Sequence, residues 1–143
     1  MPDKNSRSRQ PAKAAQSDRP VTAIEVRGER FDVTPTPGYD ATVILLAEYR
    51  EWLRGLSDRT AQARITYNVG KLARGLMGDW KDVGGVCEMR IAYGPGYRVY
   101  FGRHGKTIFI VALGGDKSDQ QADIAAARKI WDNVKNGLKE IRE

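Results

Sequence analysis

The residues with the most chemical potential lie in CEMRIAYGPGYRVYFGRHGKTIFIVALGGDKS, positions 87–118. Apolar and polar side chains alternate on both sides of Gly94-Pro95-Gly96, which is the pattern of a half-buried β-hairpin. A three-residue turn there would set Tyr93 opposite Tyr97, Ile91 opposite Val99 and Met89 opposite Phe101. That face is apolar and belongs to a core. The other face gathers Glu88, Arg90, Arg98 and Tyr100: two guanidiniums, a carboxylate and a phenol on one surface. A third strand, KTIFIVAL (106–113), would return antiparallel through His104-Gly105. It is apolar on both faces, as in a strand covered from both sides. Its end brings Gly114-Gly115-Asp116-Lys117 beside Arg98, where a glycine turn entering a helix exposes backbone N–H groups suited to a phosphate. A plain strand-to-helix connection fits the same residues, and the Walker spacing is absent.

Metal-free cleavage of RNA is the chemistry that such a surface could run. The 2′-hydroxyl must lose its proton, the phosphate's extra charge must be neutralised, and the leaving 5′-oxygen must gain a proton. Arg98 suits the second task, because its planar fork matches phosphate oxygens. Glu88, or a lysine of lowered pKa, suits the first. Tyr97 or Tyr100 could stack on a splayed base. The structural alternatives are a cross-strand Arg98–Glu88 pair and tyrosines that simply pack.

The elements that would position these residues follow from periodicity. TAIEVRGERFDV (22–33) contains β-like alternation and reads as a first strand, and TPTPGYD (34–40) as a loop. From Ala41 to Leu56 the period becomes helical, with Leu45, Tyr49, Trp52 or Leu53, and Leu56 on one stripe. Ser57-Asp58 ends that helix and caps a second, whose stripe is Ile65, Val69, Leu72 and Leu76. The two should form a helical hairpin. GLMGDW (75–80) reads as a break, followed by strands over 86–93, 97–103 and 106–113. Ile124, Trp131, Val134, Leu138 and Ile141 predict a C-terminal helix.

The 143 residues suit one domain, 21–143, behind a polar, basic tail, 1–20, which reads as disordered. Lys and Arg number 24 against 18 Asp and Glu, for a net charge of +6. That balance favours a polyanionic partner such as a nucleic acid or an acidic protein. One cysteine, Cys87, and one histidine, His104, rule out an internal disulfide and leave too few ligands for a Cys/His metal site. Cys87 reads as a core residue and His104 as a turn residue. No apolar run approaches a membrane span, and residues 1–20 lack the apolar core of a secretory signal, so a cytoplasmic location is expected.

Several spaced motifs resemble one family: GDWK at 78–81, VGGVCEMRI at 83–91, YGPGYRVYF at 93–101 and GGDKSDQQADI at 114–124. In order, with REWLRGLSDRTAQARI (50–65) upstream, they resemble the RelE/ParE superfamily of bacterial toxins, nearest its HigB-like "addiction module killer protein" branch. The resemblance runs from about Glu48 to about Ile124. It implies an α+β fold with an N-terminal helical hairpin packed on a small antiparallel sheet and a C-terminal helix. It also implies a toxin of a type II toxin–antitoxin pair, with the ribosome, mRNA and a cognate antitoxin as partners and no cofactor or metal. By motif position Arg98 resembles the family's phosphate-contacting arginine. Arg90 and Lys117 resemble basic residues of the preceding strand and of the last strand's end, and Lys81 the GDxK lysine, with RNA contact as its expected role. Three departures stand out. Asp123 occupies a place where some members carry tyrosine. Asn68 and Lys71 stand where the branch more often has arginine. The N-terminal extension, with residues 28–40, has no counterpart. A ParE-like inhibitor of DNA gyrase without nuclease activity, or an inert binding relative, shares the same fold.

Overall fold

A computed structural model describes residues 19–143. The tail expected over 1–20 therefore lies, up to residue 18, outside the described residues. The protein is α+β and divides into two compact units, Pro35–Gly137 and a smaller one combining the described part of Met1–Thr34 with Leu138–Glu143.

The smaller unit is a three-stranded antiparallel sheet. Strand β1 (Val21–Val26) lies between β2 (Glu29–Asp32) and β8 (Lys139–Arg142). The 22–33 stretch is thus a hairpin and not a single strand. Its two-residue turn, Arg27-Gly28, has positive φ at both positions (53° and 79°), the backbone twist that favours a tight hairpin. Strand β8 takes Ile141 out of the expected C-terminal helix and pairs it with Ala23. Arg30 meets Glu143 at 2.6 Å.

The larger unit is built on a five-stranded sheet in the order β3-β7-β6-β5-β4, with β3 at Thr42–Leu45, β4 at Asp79–Asp82, β5 at Cys87–Ile91, β6 at Tyr97–His104 and β7 at Ile108–Asp116. Three expectations fail here. Residues 41–45 do not open a helix. Thr42-Val43-Ile44-Leu45 form a strand parallel to β7, with Ile44 beside Ile110, so the sheet is mixed and not purely antiparallel. The β-branched Thr-Val-Ile run suits the pleated sheet. Strands also precede the helices, so the helix pair is not N-terminal. Helix α1 (Ala47–Arg54) begins after Leu46, and α2 (Arg59–Gly70) begins at Asp58, whose carboxylate accepts the Ala61 N–H at 3.1 Å. A 3-10 turn, Lys71–Arg74, continues α2. The GLMGDW break contributes Asp79 and Trp80 to β4, an edge strand.

Tyr49, Ala61, Ile65, Val69, Leu72, Met89, Val99, Phe101, Phe109 and Val111 form the core between these helices and one sheet face. Helix α3 (Gln120–Gly137) packs against β6 and β7, so β7 is interior and covered as its double-sided apolarity requires. Two glycines allow the close approach. A Cβ at Gly114 would strike the Trp52 indole, and one at Gly102 the Trp131 indole.

Candidate functional site

The β5–β6 ladder pairs Ile91 with Tyr97, Met89 with Val99, Cys87 with Phe101, Glu88 with Tyr100 and Arg90 with Arg98. The register differs by two residues from the one that a Gly-Pro-Gly turn predicts, because the connection spans 92–96. Its Tyr93 is held by the Arg64 guanidinium, 4.8 Å from the ring centroid, and by a 3.3 Å hydrogen bond from its hydroxyl to Asp58. A two-residue shift preserves which side chains share a face. Glu88, Arg90, Arg98 and Tyr100 therefore remain together, opposite the core.

Glu88 is the centre of this face. It is fully buried, and both carboxylate oxygens are engaged. Oε1 accepts from Arg98 Nη1 at 3.1 Å, and Oε2 accepts from Tyr100 Oη at 3.1 Å and from Gln120 Nε2 at 2.9 Å. Lys81 Nζ stands 4.0 Å from Oε1, its side chain about half exposed. The Arg98 side chain is only 13% exposed, and its buried Nε has no hydrogen-bond partner among the described residues.

The strand end beside Arg98 matches expectation. Arg98 pairs with Gly115, and Tyr97 with Asp116. Asp116 then accepts the Ser118 N–H at 2.8 Å, turning the chain into a short 3-10 segment, Lys117–Asp119, and on into α3. The Lys117 stem lies over Gly96, and its ammonium is exposed. Asp123 sits directly against Gly115, where any side chain would collide with its carboxylate. Burial, helped by the charges of Asp119 and Asp116, raises the Asp123 pKa above its ordinary value.

The predicted residues thus divide. Glu88, Arg98, Tyr100 and Lys81 converge. Arg90 faces outward beside them, with its guanidinium on Asp79 at 3.2 Å. Lys117 guards the strand end. Tyr97 is on the other face, packed edge-on against Trp52 with centroids 6.2 Å apart, so it is not offered to a base. Tyr100 is fully buried, which also removes it as a stacking surface. Burial first, and then the Glu88 charge and hydrogen bond, push its pKa well up, so it stays protonated as a donor. The cluster also contains Gln120, which sequence reasoning missed. No local motif signals that contact, because it depends on how α3 packs across the sheet. Among the described residues, no group of three or more His, Cys, Asp or Glu is arranged to hold a metal ion, and no helix is long and apolar enough to cross a membrane.

An uncharacterized protein of Haemophilus influenzae (strain ATCC 51907 / DSM 11121 / KW20 / Rd) is 40% identical to this chain over 81 residues, which cover 56% of the chain and 82% of that protein. The chain belongs to that protein's family. No protein-family model matches it. The 81 matched residues are fewer than the larger unit alone contains, so part of the present chain lies outside the match.

Proposed function

We propose that the protein is a toxin of the RelE/ParE superfamily, of the HigB-like branch, that cleaves mRNA on the ribosome without a metal and is neutralised by a cognate antitoxin. The observation that carries this reading is Arg98. It sits at the start of β6 with one nitrogen on Glu88 and another buried nitrogen unsatisfied, and Lys81, Arg90 and Lys117 present charge around it. The spaced YGPGYRVYF and GGDKSDQQADI motifs, and an α+β unit with helices packed on a sheet, support the same reading.

In this mechanism Arg98 turns from Glu88 to the scissile phosphate and neutralises the charge that grows on its equatorial oxygens. The exchange frees Glu88 Oε1. Glu88 is fully buried with both oxygens occupied, so only when the guanidinium moves aside and uncovers Oε1 can it take the 2′-hydroxyl proton, as the 2′-oxygen bonds to phosphorus and the bond to the 5′-oxygen breaks. Tyr100 and Gln120 keep the other oxygen in place. Lys81 and Lys117, both exposed, hold the RNA backbone and are the available proton donors to the leaving 5′-oxygen.

One observation favours a second reading. A carboxylate whose two oxygens are already held by a guanidinium, a phenol and an amide also makes a rigid scaffold. That suits a ParE-like inhibitor that binds DNA gyrase and performs no RNA chemistry. Purified protein, chelator, a defined mRNA and programmed ribosomes separate the two. The nuclease reading expects cuts only when ribosomes are present, and inhibition of gyrase supercoiling with intact mRNA would replace it with the second.

A further inference from the structure

The helical side of the larger unit carries a second surface that the chemistry around Arg98 does not use. Tyr39 and Tyr67 are the two most exposed of the large hydrophobic side chains, at 58% and 69%. They line one open depression together with Gly38, Thr66, Gly70, Lys71 and Arg74. Tyr67 lies on α2 between the buried Ile65 and Val69 yet is itself exposed, so the core does not use its ring. Lys71, one turn later, places its ammonium 5.2 Å from the Tyr67 ring centroid. Tyr39 arrives from the other bank, held by the backbone pairing of Thr36 with Tyr39. Glycines 38 and 70 leave the floor free of side chains, and a Cβ at either would meet nothing within 4 Å.

Two exposed aromatic rings with cations beside them, over an open floor, form the combination that holds single-stranded nucleic acid. Bases stack on the rings whatever their identity, and the backbone phosphates meet Lys71 and Arg74. No carboxylate lines the depression, and the whole chain carries +6, so the field favours a polyanion. We propose that Tyr39, Tyr67, Lys71 and Arg74 form a binding site for single-stranded nucleic acid. It is separate from the Arg98 cluster, which lies on the sheet face opposite the core that α2 covers. The site needs no cleavage chemistry, so it does not depend on the reading of Arg98.

The test uses the full chain and fluorescein-labelled 12-mers that cannot be cut at a 2′-hydroxyl: 2′-O-methyl RNA and single-stranded DNA. Anisotropy titrations are run on the wild type, on Tyr39→Ala/Tyr67→Ala and on Lys71→Gln/Arg74→Gln. The proposal expects both oligomers to bind, with preference for RNA or DNA identifying the source. It expects the tyrosine pair to weaken binding at least about tenfold. The cation pair should lower the salt slope of log K by about 1–2. Because all four side chains are on the surface, thermal unfolding should be unchanged. Unaltered affinity in the tyrosine variant would overturn the proposal, as would the absence of binding to either oligomer. Equal competition by poly-glutamate would also overturn it, and would assign the surface to an acidic peptide.

Discussion

Removing the arginine from the buried pair should damage the protein far more than removing both partners. Glu88 is fully buried, and Arg98 is its nearest positive charge at 3.1 Å. Arg98→Met leaves a carboxylate with two neutral donors, Tyr100 and Gln120, and with Lys81 at 4.0 Å as the remaining cation. Orphaning one member of a buried pair costs about 3–5 kcal/mol, whereas replacing both members is often nearly neutral. The two surviving hydrogen bonds put this case near the lower bound, about 3 kcal/mol. With a urea m-value of about 2 kcal/mol/M, the midpoint should fall by about 1.5 M. Arg98→Met/Glu88→Gln should recover most of that loss, because the glutamine carbonyl still accepts from Tyr100. Tryptophan fluorescence is the readout, since Trp52, Trp80 and Trp131 all lie in the larger unit. A single variant within about 0.3 M of wild type would refute the reasoning, as would a double variant no better than the sum of the two single changes.

Other expectations follow from the same contacts. Gly102→Ala drives a methyl into the buried Trp131 ring and should cost on the order of 1–3 kcal/mol in urea unfolding, partly restored by adding Trp131→Leu. Asp58→Ala removes both the α2 cap and the partner of Tyr93, and should lower stability by about 0.5–2 kcal/mol by the same assay. The Asp123 pKa is raised in the fold, mainly by burial, so the folded state holds its proton more tightly and stability falls as pH rises through that window above 3.8. Asp123→Asn should therefore raise the melting temperature at pH 7 relative to wild type, and the difference should shrink below pH 4. Asp82 has the opposite sign, because the Gly84 and Gly85 N–H groups hold its carboxyl below its ordinary value. Asp82→Asn should lose stability at pH 7, with the gap closing as pH falls through that lowered pKa.

Much of the candidate site was legible because it depends on parity. The hairpin's register differs by two residues from the one its Gly-Pro-Gly turn predicts, yet Glu88, Arg98 and Tyr100 keep their common face. The position of Gly115 beside Arg98 followed from antiparallel return alone. Long-range pairings were not legible. Leu45 and Tyr49 are spaced as on a helix, and nothing local shows that residues 42–45 will find β7 as a parallel partner. Ile141 continues a helical stripe, but its partner Ala23 lies near the other end of the chain. Gln120 reaches Glu88 across 32 positions, a contact made by the packing of α3 and not by any motif. Tyr97 and Tyr100 had the right type for stacking, and burial decided against both.

The central claim, that Arg98 serves phosphate chemistry on mRNA, is tested most directly by primer extension on cellular mRNA after brief induction, with Arg98→Lys alongside. Lysine keeps a positive charge near Glu88 and loses the planar fork, which separates chemistry from the stability cost of an orphaned carboxylate. The account predicts cuts within codons for the wild type and their near absence in Arg98→Lys at equal protein level. Intact mRNA under the wild type while growth stops, or undiminished cutting by Arg98→Lys, would contradict it.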